Sequence, residues 1–325
     1  MPRRTSQLPL FPPATARYEP EASAAATPSA AGTHPTAITP PAVVWPPAAA
    51  NPPVAATSPA AATPPLAGQL KPILKWAGGK RWLVPTLRRL WAHHHHRRLV
   101  EPMCGGLAVT LGLMPARALL NDVNPHLINF YRWVKAGLNF TVPMRNDAAM
   151  YYEHRRRFNE LIRQGNAETS EAAQLFYYLN RTGYNGLCRF NRRGEFNVPF
   201  GRYKRINYEP DLIPYQHAFA RWEFRTGDFA GLALEPDDFV YADPPYDVEF
   251  TQYAQDGFGW NDQVRLAEWL ARHPGPVVLS NQATGRILEL YRNLGFDLTL
   301  LSAPRMISCT GDRTPALEVI ATRGI

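Results

Sequence analysis

Short apolar runs without alternation punctuate this chain: Leu99-Val100, Ala118-Leu119-Leu120, Phe239-Val240-Tyr241-Ala242, and the stretch 276–281 that ends in Ser280-Asn281. Such runs fit strands of a parallel sheet buried on both faces. Between them, apolar residues recur at helical spacing. The clearest case is Leu127, Phe130, Tyr131 and Val134 within 124–137, and 82–90, 262–271 and 284–294 also read as helices, as does the stretch ending at Leu113. Two more strands, near 296–302 and 316–322, would close the sheet antiparallel. This strand–helix alternation predicts an α/β fold with a doubly wound sheet. Residues 140–225 break it. Helices near 151–163 and 171–180, the second with Ala172, Leu175, Phe176 and Leu179 on one face, predict an inserted helical subdomain over 140–221, set into a sheet domain made of 69–139 and 222–325.

Composition changes the picture first at the N-terminus. Residues 1–68 hold half of the chain's 32 prolines among Ala, Thr and Ser and show no period. Such a segment buries too little apolar surface to offset its ordering entropy, and it reads as a disordered Pro/Ala-rich tail. The net charge of +8 favours a polyanionic partner. Cys104, Cys188 and Cys309 lie far apart without a CxxC pair, which points to neither a disulfide framework nor zinc and suits a reducing compartment. His93-His94-His95-His96 do not share a helix face and read as a solvated loop, so no metal is expected. No stretch reads as a secretory leader or a membrane span, and the cytoplasm is the expected location.

Candidate chemistry gathers where the apolar runs end. Asp243-Pro244-Pro245-Tyr246 follows the 239–242 run, and ligands in open α/β sheets bind at the carboxyl ends of strands. Methylation of an exocyclic amine on a planar ring fits this lip. Such a nitrogen has its lone pair delocalised into the ring, so acceptors must hold it in a tetrahedral, localised form. The Asp243 carboxylate and the Pro244 carbonyl, whose direction the prolines fix, would take its two hydrogens, and Tyr246 would stack on the ring face. The first strand runs into a glycine turn at Gly105-Gly106, and the second closes on Asp122. Doubly wound sheets hold a nucleoside in this way, with the carboxylate on the ribose hydroxyls. Asp122 would equally serve as a cap for the helix that Asn124-Pro125 opens. Upstream, Trp76-Ala77-Gly78-Gly79-Lys80 suits a loop whose backbone approaches a ligand closely, with a cation ready for a carboxylate or phosphate. Residues 181–205 carry seven Lys/Arg against one acid, with aromatics, asparagines and glycines interleaved. That mixture reads as a DNA-reading loop, since arginine pairs with guanine, asparagine with adenine, and lysine with phosphate.

The run from Tyr178 to Arg189, continued by Gly194-Glu195-Phe196-Asn197-Val198-Pro199-Phe200-Gly201-Arg202-Tyr203-Lys204, closely resembles the recognition segment of the Dam family of DNA adenine-N6 methyltransferases. Leu74-Lys75-Trp76-Ala77-Gly78-Gly79-Lys80 is similar to that family's N-terminal motif, Asn121-Asp122 to its ribose acid, and Asp243-Pro244-Pro245-Tyr246 to its catalytic motif. The four motifs, in the family's order, span about 70–320. The resemblance implies a Rossmann-like methyltransferase sheet, double-stranded DNA as substrate and S-adenosylmethionine as cofactor, held by Trp76, Lys80, the Gly105 turn, Asp122 and Asp243. It implies Lys75 and Arg189 as base readers and Leu187 and Pro199 against base edges. Tyr184 would push into the stack beside an extruded adenine, Asn185 would contact the vacated space, and Arg181, Arg202 and Lys204 would grip phosphates. Asp228-Phe229 reads as a contact to the cofactor's adenine or as a simple turn. The expected target is GATC, and the expected state is monomeric. The family's glycine motif has Phe where Met103 stands and Gly where Leu107 stands, so packing around the cofactor departs from it here. Cytosine-N4 methylation and DNA binding without catalysis are the alternative functions.

Overall fold

The apolar runs become strands because each offers side chains to both faces of one sheet. The computed structural model describes residues 70–247, 257–303 and 316–325; the tail expected over 1–68 and the loop expected at 305–313 lie outside them. Strands β1 (Leu99–Glu101), β2 (Ala118–Asp122), β3 (Trp222–Thr226), β4 (Phe239–Ala242), β5 (Val277–Gln282), β6 (Asp297–Ala303) and β7 (Ala316–Arg323) form one sheet in the order β3-β2-β1-β4-β5-β7-β6. Pairing is parallel from β3 through β5, while β7 runs antiparallel to both β5 and β6. In register, Leu99 faces Ala118 on one side and Phe239 on the other.

Residue parity along the strands explains the lack of alternation. Leu99, Leu120, Phe239, Tyr241, Val278 and Ile320 belong to one apolar core, whereas their neighbours Val100, Leu119, Val240, Val277, Leu279 and Val319 belong to a second. Both faces of the sheet are therefore covered, and the polar residues of the inner strands, such as Glu101, Asp122 and Ser280, stand toward the strand ends.

Helices α1 (Val84–Trp91), α2 (Ala108–Leu113), α3 (Pro125–Lys135), α7 (Trp260–Ala271) and α8 (Gly285–Asn293) fall close to the expected positions. Their starts follow local chemistry. Asn124 Oδ1 accepts the His126 and Leu127 N–H groups ahead of Pro125, and Thr284 caps α8. In the segment 140–221, α4 (Ala148–Arg163) and α5 (Ser170–Thr182) appear as expected. The burial of α5, however, goes beyond the one apolar face. Gln174, Tyr177, Tyr178 and Asn180 are buried as well, and Phe130 of α3 stacks on Tyr177 at 5.4 Å between ring centres. The helix shares a single core with the sheet because α3 and α4 both pack on it. Two elements escaped the sequence reading. One is β3, whose Trp-Glu-Phe-Arg-Thr alternation marks a half-buried edge strand; the other is α6 (Ile213–Phe219), announced only by Pro214 in its first turn.

The departure at Leu107 has a conformational side. This residue stands just before α2 at φ 59, in the left-handed region, and its side chain is 1% exposed. Relieving that backbone strain with glycine would gain about 1 kcal/mol, but deleting a buried leucine costs about 2–5 kcal/mol. Burial wins, and Leu107→Gly is expected to lower stability by about 1–4 kcal/mol in urea unfolding. A more stable variant would show that strain outweighs packing here.

Candidate active site

The strand order brings the candidate residues together. From β1 the chain proceeds to β2 and β3 on one side, then returns to β4 and β5 on the other, so the order reverses between β1 and β4. Ligands bind in the crevice outside the strand ends at such a reversal. Glu101 ends β1, Asp122 ends β2 and Asp243 follows β4. All three line a cavity of about 780 Å³ that also includes Trp76, Lys80 and Tyr246, a volume in the range of small-molecule sites.

On the β2 side, the Gly105 N–H donates to Asp122 Oδ2 at 3.1 Å and the Asn124 N–H to Oδ1 at 3.0 Å. The cap of α3 is therefore Asn124, and Asp122 braces the residue that makes it. Each Asp122 oxygen keeps lone-pair capacity toward the cavity. Gly105 sits at φ 45, and the Trp76 indole lies directly on the turn. A Cβ at Gly105 would stand 2.9 Å from indole atoms, and one at Gly106 would stand 2.8 Å from Trp76 Cβ. Bare backbone at 105–106 is thus required for Trp76 to form the cavity wall. Asp228 serves in two ways: it accepts the Ala230 N–H within a turn, and it forms a two-point pair with Arg265 at 2.8 Å on the cavity wall.

On the β4 side, Lys80 is 3% exposed and its Nζ lies 2.7 and 2.9 Å from the two Asp243 oxygens. Ser280 Oγ donates to Asp243 Oδ1 at 2.9 Å. Gln263 Nε2 of α7 donates to the Pro245 carbonyl at 2.7 Å, and the Tyr246 hydroxyl donates to Glu318 of β7. No described residue donates to the Pro244 carbonyl. The lip therefore has braced side chains around one unspent acceptor.

Sequence reasoning passed over Gln263 and Glu318 as site residues. Nothing marks Gln263, but a lone acid inside the apolar Ala316–Arg323 strand is a readable sign for Glu318.

Burial raises the carboxyls of Asp122, Asp243 and Glu318 above the usual range and pushes Glu101 up to about 8, although the Thr110 hydroxyl partly offsets the shift at Glu101. Lys80 and Ser280 pull Asp243 back toward its charged form. Glu101, Asp122 and Asp243 thus bring three carboxyl groups to the cavity beside Lys80. Among the described residues, no group of three or more His, Cys, Asp or Glu is placed to hold a metal ion, and no helix is long and apolar enough to cross a membrane.

The basic loop is held together by contacts of its own. Antiparallel bridges Gly183–Phe200 and Phe190–Phe196 tie its arms, and the Tyr184 N–H donates to the Pro199 carbonyl at 2.9 Å. Tyr184 and Leu187 are exposed, Asn185 adopts φ 51, and Arg189 is held toward Asn197 Oδ1 at 2.8 Å. Arg202 and Lys204 are exposed. Lys75 reaches the loop from the N-terminal motif: its Nζ donates to the Arg181 carbonyl at 2.9 Å and lies 3.6 Å over the Tyr203 ring. Burial and Arg181 lower its pKa to about 8. Arg181 is partly buried. Its guanidinium donates inward to the Ile73 and Asn207 carbonyls, because it lies between the N-terminal segment and the loop's far arm.

Comparison with known proteins agrees with this arrangement. The model of the D12 class N6 adenine-specific DNA methyltransferases matches residues 76–307. The chain is 36% identical to the retron Ec67 DNA adenine methylase of Escherichia coli, over 78% of this chain and 92% of that one. It is also 36% identical to the DNA adenine methylase of Vibrio cholerae, over 74% and 91%, and to that of Escherichia coli K12, over 74% and 90%. The match runs from the Trp76 wall past the Asp243 lip and covers nearly all of each relative, and the chain belongs to the D12 class of N6 adenine-specific DNA methyltransferases.

Proposed function

We propose that this enzyme methylates the adenine of GATC after turning it out of the duplex, with Asp243 and the Pro244 carbonyl as acceptors for the N6 hydrogens. The observation that carries this reading is the meeting of Asp122, Lys80 and Asp243 around one cavity, beside a Pro244 carbonyl to which no described residue donates. S-adenosylmethionine, when bound, supplies a methyl group on a positively charged sulfur. The residues present fit it: Trp76 on the bare Gly105-Gly106 turn gives an apolar wall, and Asp122 has capacity for ribose hydroxyls.

The protein's own groups then act on the amine. Asp243, drawn toward its charged form by Lys80, pulls the N6 hydrogens away from the ring plane, so the lone pair localises toward the cavity. Tyr246 offers its face to the purine. Flipping costs a few kcal/mol, which contacts along the basic loop offset. We assign Lys75 and Arg189 to base edges, Leu187 and Pro199 to packing against them, Tyr184 and Asn185 to the gap left by the adenine, and Arg202 and Lys204 to phosphates. Residues 140–221 make up the DNA-reading part, and Arg181 shapes it from within. Mapping methylated adenines in DNA from cells that express the protein tests the assignment. Modification confined to GATC is expected; modification of cytosine, or of adenines without regard to sequence, overturns it.

A further inference from the structure

We propose that Glu318 is a positioning residue for methyl transfer: from β7 its carboxylate fixes the plane of the Tyr246 ring on which the extruded adenine stacks. This rests on the role given to Tyr246 above. Glu318 is 3% exposed and lies between Gln282 of β5 and Leu301 of β6 in the sheet's antiparallel part. One of its oxygens accepts the Tyr246 hydroxyl, while the other is buried with no partner among the described residues. An acid set into an apolar strand with half its capacity unspent is costly to keep. Its one hydrogen bond among the described residues goes to the tyrosine of the lip.

The remaining lip contacts do not do this work. Ser280 and Lys80 hold Asp243, and Gln263 holds the backbone at Pro245. Lys80 also stands 4.7 Å over the Tyr246 ring, an attraction to the ring face that leaves its rotation free. A hydrogen bond from the para hydroxyl to a rigid strand restricts both side-chain torsions. Without it, a half-buried ring has several rotamers available, and only some present a face to the purine.

Purified full-length enzyme tests this, with turnover read on unmodified duplex DNA and base stacking on a duplex carrying 2-aminopurine at the target adenine. Glu318→Ala is expected to lower kcat about tenfold, in keeping with loss of one charge-assisted hydrogen bond. Its KM for cofactor stays unchanged, and 2-aminopurine in the complex is brighter because stacking on Tyr246 is looser. Glu318→Gln, which keeps an acceptor oxygen, loses about threefold, as expected for a neutral acceptor. Tyr246→Phe matches Glu318→Ala, and the double variant is no slower than either single one. Should Glu318→Ala fail to fold, Tyr246→Phe compared with Tyr246→Phe/Glu318→Gln decides the same point. Wild-type kcat and fluorescence in Glu318→Ala, or losses that multiply in the double variant, overturn the inference. Full activity in Asp243→Ala would instead remove the reading of the lip on which it rests.

Discussion

Asp243→Ala is expected to lower methyl transfer to adenine by about a thousandfold or more, the scale for removing a positioned acceptor at a reacting centre. Binding of duplex DNA should stay largely intact, because the surface proposed to contact DNA, at 181–205, does not include Asp243. The separation of the two effects is the informative part. Asp243 makes its hydrogen bonds to Lys80 and Ser280, so the alanine also leaves a buried ammonium unpaired and some loss of stability is anticipated. Asp243→Asn controls for that, since it keeps the shape and one acceptor oxygen while placing a donor where the adenine amine must donate. Both variants should be inactive, and the asparagine form should melt nearer to wild type. Labelled-methyl incorporation, run beside fluorescence anisotropy on the same duplex, reads both quantities. Normal turnover in either variant would sink the mechanism.

The second large effect is expected at Lys80. Lys80→Met replaces a 3% exposed ammonium by an apolar group of similar length and strands the Asp243 carboxylate. Breaking a buried pair by removing one partner costs about 3–5 kcal/mol; since Asp243 keeps 20% of its side chain in solvent, about 2–4 kcal/mol is the better expectation near neutral pH. The pH dependence follows from the direction of the shift. Burial already raises the Asp243 pKa, and Lys80 is the main influence lowering it. Without Lys80 the folded-state value rises further above the unfolded one, so the folded form binds the extra proton. The deficit against wild type is then smallest toward the unfolded carboxylate pKa of about 4 and grows as pH rises through the folded value. Methylation at neutral pH should fall with it, because a protonated Asp243 is a poor acceptor for both amine hydrogens. Thermal unfolding of the two proteins from pH 5 to 8 checks this, and a constant difference in Tm across that range would contradict it.

Much of the architecture could be read from the chain because it is a matter of local burial. Unalternating runs at 99–100, 118–120 and 239–242 do mark strands covered on both faces, and Asn124-Pro125 does open a helix. The glycine pair at 105–106 announced a close approach, and the structure supplies its reason, a tryptophan indole lying on the turn. Less was legible where burial and chemistry part company. Arg181 belongs by composition to the positive loop, and that composition does not announce its bonds to the Ile73 and Asn207 carbonyls. Gln174, Tyr177, Tyr178 and Asn180 look like the polar side of α5 and are buried, because the helix is enclosed by neighbours that its own period does not reveal.

By itself, the sequence determined most of the strands and helices, though not β3 or α6, and which polar residues stand where the strands at 99–101, 118–122 and 239–242 end. Only the tertiary structure decided that the ends at Glu101, Asp122 and Asp243 share one cavity, that Lys80 crosses it to Asp243, and that Glu318 comes up behind Tyr246. The physical reason is that periodicity records how each residue meets its immediate surroundings, whereas contact between distant residues depends on strand order. That order follows from the summed packing of both faces of the sheet, a quantity that belongs to no single stretch of chain.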